Sequence, residues 1–145
     1  MSDHWMTMKE QESQQTLTND EIKAAIEHLA KALSLVVQIN DAMGSGVIDV
    51  GLLAEQSEES WNELNRCRIY TEKILLIEEE IIPAMGEMYD AKSMFESLVA
   101  WKLGMTIQAA WSIRSCLVNA YRAIKQCMDE MISWLGGLEA SLPEA

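Results

Sequence analysis

Through most of the chain, apolar residues recur at steps of three and four, the spacing that places side chains on one face of a 3.6-residue helix. The longest such run extends from Met105 to Leu135, where Ile107, Ala110, Trp111, Leu117, Val118, Tyr121, Ile124, Met128, Met131, Ile132 and Leu135 keep that rhythm. Gly136-Gly137 follows and is expected to stop it, since glycine takes the left-handed conformation that closes helices. At about 1.5 Å per residue this run would form a rod of roughly 46 Å.

Upstream, Thr18 and Glu21 have the spacing of a capping box, with Leu17 placed to staple against Ile22. A helix of about 24 residues follows on Ile22, Ala25, Ile26, Leu29, Ala32, Leu33, Val36, Ile39 and Met43, stopped by Gly44-Ser45-Gly46. Val47, Ile48, Val50, Leu52 and Leu53 are too apolar for a free linker and read as a short ordered connection capping the bundle end. A second helix is predicted from Ser57 to Ile82 on Trp61, Leu64, Cys67, Tyr70, Ile74, Ile77 and Ile81. Pro83 marks a boundary or a kink, because it lacks a backbone donor and pushes its predecessor away from helical angles. A third helix, Ala84 to Leu103, carries Met85, Met88, Met94, Phe95, Leu98 and Val99, with Gly104 as the next break.

The pattern therefore predicts an all-α protein: an elongated four-helix bundle, either up-down or two helical hairpins. If Pro83 and Gly104 only kink the chain, three very long helices result. A single domain spans 17–138. It is flanked by a polar tail over 1–16, which carries Trp5, Met6 and Met8, and by a short tail over 139–145.

Composition narrows the chemistry. The net charge of −12, with eleven basic residues scattered among twenty-three acidic ones, disfavours nucleic acid and anionic membrane surfaces as direct ligands. No stretch approaches the ~18 apolar residues of a membrane span, and the N-terminus lacks a signal-peptide layout. Cys67, Cys116 and Cys127 have no CxxC spacing and read as buried, reduced thiols of a cytoplasmic protein. His4 and His28 cannot be placed near a Cys or Ser by spacing, and the ligand patterns of zinc and di-iron sites are missing, so no catalytic residue, metal or cofactor is expected.

Carboxylates are the one group dense enough to carry chemistry. Glu55 with Glu58, and Glu87 with Asp90, lie three apart, which can bring each pair onto one helical face able to hold Mg²⁺. This four-residue set resembles the carboxylate pairs of all-helical nucleotide pyrophosphohydrolases of the MazG type, and the resemblance implies a Mg²⁺-dependent enzyme as the alternative function. No Lys or Arg cluster accompanies the set to bind phosphates, and a solvated acidic face explains the same residues.

Residues 50–100 hold eleven acids and four bases, more than half of the total imbalance. That region is the candidate surface for a basic or nucleic-acid-binding protein, through Glu58, Glu59, Glu63, Glu78, Glu79, Glu80, Glu87 and Asp90. Between Leu98 and Leu138 apolar residues also spread round more than one helical face, so a homodimer or a partner groove is expected, with Trp101, Met105, Trp111 and Trp134 as anchors. The leading expectation is a non-enzymatic binding protein that blocks or escorts another protein. In composition it is similar to secretion chaperones, immunity proteins and phage-type inhibitors.

Overall fold

A computed structural model describes residues 17–72 and 74–141. The helices run Asn19–Met43 (α1), Val50–Thr71 (α2), Leu75–Ala100 (α3) and Ile107–Ser141 (α4). Each packs on its neighbour in sequence and α4 returns onto α1, which closes an up-down-up-down bundle. No helix among the described residues is long and apolar enough to cross a membrane.

The first start signal works as its residues dictate. Glu21 donates its backbone N–H to Thr18 Oγ1 at 3.1 Å, and Glu21 Oε1 accepts from the Thr18 backbone at 3.1 Å. Two backbone donors that a helix start would leave unpaired are thereby satisfied. Leu17 and Ile22 are both buried. Of the apolar stretch after Gly46, Val47 and Ile48 form the connection, whereas Val50, Leu52 and Leu53 already belong to α2: Asp49 Oδ1 accepts from the Leu52 backbone at 3.1 Å and caps it.

The main departure from the sequence pattern lies between α2 and α3. The chain reverses at Glu72–Ile74, with neither Gly nor Pro to announce it. Tertiary burial explains the position. Leu64, Cys67, Ile74, Ile77 and Ile81 are all buried in one core, whereas an unbroken rod to Ile82 would carry the last three beyond the end of α1. Arg68 Nε, on the last turn of α2, donates to Glu78 Oε1 on the first turn of α3 at 2.7 Å and clasps the turn.

Pro83 consequently falls inside α3, where it neither ends the helix nor separates two. It lies on the exposed side, so water can serve the carbonyl one turn back that its missing N–H leaves unpaired. The α3–α4 break does come near Gly104, but the residue closing α3 is Lys102, at φ 52°. Leu103 donates its backbone N–H to Leu98 O at 2.8 Å, the i to i−5 bond of a Schellman closure. Thr106 Oγ1 then accepts from the Ala109 backbone at 3.0 Å and starts α4. Gly136-Gly137 does not stop α4, which continues through them to Ser141. The tail expected over 139–145 is therefore helical as far as 141, while 142–145 and the tail over 1–16 lie outside the described residues.

The core is a column of fully buried side chains that includes Leu29, Leu64, Ile81, Phe95, Ile113 and Leu117. All three cysteines are buried and unbridged.

Candidate functional site

The inner face of α4 is formed by Ile113, Leu117, Ala120, Ile124, Cys127 and Met131, all buried. On the same helix Ile107, Trp111, Val118, Tyr121 and Ile132 are exposed. At 100° per residue these five fall within an arc of about 80°, roughly 120° round the helix from the buried face. The long periodic run in the sequence is therefore two apolar stripes rather than one, and its period could not separate them.

The outer stripe carries basic residues among its apolar ones. Arg114, Arg122 and Lys125 are exposed on it and none has an acidic partner among the described residues, whereas Lys31, Arg66, Arg68 and Lys92 are each ion-paired. Beside the stripe, a cavity of about 360 Å³ opens between α1 and α4, lined by Val36, Val37, Asn40, Leu117, Val118, Tyr121 and Arg122. Near the end of the bundle where α3 hands over to α4, Val99, Trp101, Leu103, Ile107 and Trp111 are exposed.

Of the four expected apolar anchors the structure exposes two. Trp101 and Trp111 are each 76% exposed. Met105 and Trp134 are half-buried and pack on the core, and Trp134 lies about 35 Å along α4 from Trp111. These four do not form one surface.

The acidic set is divided in the same way. Glu58, Glu59, Glu79 and Asp90 are exposed, but Glu63 is buried. Its Oε2 accepts from His28 Nδ1 at 2.7 Å and its Oε1 from Arg66 Nη1 at 2.7 Å, while Tyr70 stacks on His28 with ring centroids 6.3 Å apart. Burial pushes the Glu63 carboxyl up, but the His28 hydrogen bond and the Arg66 and His28 charges outweigh it and leave the group below its usual range. Glu63 therefore ties α2 to α1 and is not available to a partner. Glu78 is occupied by Arg68. A single eight-residue acidic face does not form, because Glu63, Glu78, Glu80 and Glu87 fall at the seams between helices.

Glu80 and Glu130 meet across the α3–α4 seam, and the Oε2 atom of each is buried without a donor. Burial first, then the hydrogen bond to Glu130 and its charge, raises Glu80 to about 7, although Gln126 Nε2 donates to Glu80 Oε1 at 3.1 Å. Further along the seam, one oxygen each of Glu87 and Asp90 and the Cys116 sulfur lie within 4.8 Å of one another. Burial, then the hydrogen bond and charge of Glu87, pushes the Cys116 thiol up to about 11. This is the sole cluster of possible metal ligands among the described residues. Glu55 and Glu58 do not join it, so the four-carboxylate arrangement implied by the pyrophosphohydrolase resemblance is not assembled.

Cysteine nucleophiles are equally disfavoured, since burial raises Cys67 to about 12 and Cys127 beyond the usual thiol range. The sequence left Arg114, Arg122 and Lys125 out of its candidates. Their 114, 118, 121/122, 125 rhythm alongside Val118 and Tyr121 was the available signal. Comparison of the chain with protein families, curated proteins and solved structures finds no match in any of the three.

Proposed function

We propose that this protein works by contact, binding another protein in order to block or escort it, and that the contact is made at the α3–α4 end of the bundle. The observation that carries this reading is the exposure of Trp101 and Trp111 at 76% each, with Leu103 at 55% and Ile107 at 81%, at one end of the molecule. Large exposed apolar patches of this kind mark binding surfaces, and tryptophans that become desolvated between partners each contribute about 2 kcal/mol or more. The partner then offers an apolar groove or an amphipathic helix. The exposed acids of α2, Glu55, Glu58 and Glu59, supply long-range attraction if that partner is basic.

The test is site-specific photocrosslinking in lysate of the native host, irradiated at low salt and at about 1 M salt, with the photoreactive residue at 101, 111 or 58. Adducts at 101 and 111 that still form at about 1 M salt, where the screening length is about 3 Å, are the expected outcome. Adducts at 58 alone, formed only at low salt, would shift the contact to the acidic side of α2. No adduct at any of the three would remove the proposal.

A further inference from the structure

We propose that the outer stripe of α4 between Trp111 and Ile132 is a self-association surface, on which a second copy of this chain packs antiparallel about a two-fold axis between Tyr121 and Arg122. The claim goes beyond the function proposed above and shares one residue with it: Trp111 is covered in the dimer and free in the monomer, while Trp101 and Leu103 lie outside the paired segment and stay uncovered in both.

The register follows from the order of residues along the stripe. Reversing the helix about that point brings residue positions summing to 243 to the same level, the layering found where antiparallel helices pack. Trp111 then meets Ile132 of the second copy, Arg114 meets Asp129, Val118 meets the stem of Lys125, and Tyr121 meets Arg122. Each pair joins apolar to apolar, cation to anion, apolar to aliphatic stem or aromatic to guanidinium, all favourable contacts. All eight residues are exposed, and four of them, Trp111, Val118, Tyr121 and Ile132, are large apolar side chains left uncovered in the monomer. Arg114 and Asp129 form no ion pair within the monomer among the described residues, and this pairing supplies one to each, twice per dimer.

Other arrangements fare worse on charge. Parallel pairing sets Arg114, Arg122, Lys125 and Asp129 each against its own copy. Moving the axis to Val118 sets Arg114 against Arg122. The groove between α1 and α4 continues the stripe sideways through Val37, 40% exposed. The paired segment is about 32 Å long and one helix wide, which buries less than the ~800 Å² per partner of stable complexes. The dimer is accordingly expected at tens to hundreds of micromolar rather than nanomolar.

Sedimentation equilibrium of the full chain from about 10 μM to about 1 mM reads this directly. Arg114→Asp and Asp129→Arg should each weaken the dimer by at least about 30-fold, two opposite-charge contacts becoming like-charge ones. The double variant R114D/D129R should recover to within about threefold of the unaltered chain. Both residues are exposed, and far-UV circular dichroism with melting temperature verifies that the fold is kept. A monomer at about 1 mM overturns the proposal, as does a single reversal without effect or a double reversal that fails to recover.

Discussion

Leu117 and Val118 are adjacent in sequence, similar in size and equally apolar, yet Leu117 is 1% exposed and Val118 45%. They stand for the two sides of α4: one completes the core, and the other belongs to a surface edged with basic residues that have no acidic partner among the described residues. The same contrast separates the two halves of the molecule. In the α1–α2 half both helix starts are capped by side chains and the buried carboxylate is matched by His28 and Arg66. In the α3–α4 half, α3 begins at Ile74 with no side-chain cap, contains Pro83 and closes on a lysine with positive φ. That half also carries most of the exposed large apolar residues. The first half has the better-matched helix starts and buried charge, and the second has the larger share of exposed apolar surface.

The largest effect is expected at the neighbouring pair. Leu117→Ala removes a fully packed side chain and should cost about 2–5 kcal/mol, while Val118→Ala, on an exposed position, should stay within about 0.5 kcal/mol. Urea melts of the two variants measure this, and equal losses would show that the outer stripe is covered in the monomer.

Next in size, Glu63→Ala should cost about 1.5–3 kcal/mol by leaving the half-buried His28 without its acceptor, while Arg66 keeps Glu59. Because the folded-state carboxyl is held below its usual value of 4.5, its contribution is present above that value and is lost as pH falls through the lowered one. The variant and the unaltered protein should therefore converge in stability at acid pH. A gap that persists there would assign the loss to packing alone.

Glu80 has the opposite sign. Its carboxyl is raised from 4.5 to about 7, so its contribution is complete below 4.5 and is lost as pH climbs through about 7. Glu80→Gln should raise stability at pH 8 by about 1–2 kcal/mol after allowance for solvent screening, and flatten the stability profile between those values. Thermal melts at pH 5 and pH 8 measure the difference.

The smallest effect expected is Lys102→Gly, which should stabilise by about 1 kcal/mol by relieving a left-handed conformation that glycine adopts freely. A loss of stability on that change would mean that the Lys102 side chain contributes more than its backbone costs.

Much of the fold was legible in the residues themselves. The Thr18–Glu21 box and the period of Ile22 to Met43 define α1 because both signals are local, read within one turn or along one face. The turn at Glu72–Ile74 was not legible, since no local residue enforces it. It exists because Ile74, Ile77 and Ile81 must fold back onto a core built by α1 and α2. The same reason explains the site. Glu63 looked like one more acid on a charged helix until α1 brought His28 against it, thirty-five positions away in sequence. Trp134 looked like an anchor until the core took it.

That the chain is helical, makes rods with apolar faces and is acidic follows from residue order alone, because propensity, period and charge are properties of residues and their near neighbours. Where the second rod ends, which of two apolar stripes on α4 is hidden, and which acids are matched rather than free were settled by packing. Those outcomes depend on what stands opposite each side chain, and only packing four helices together sets that.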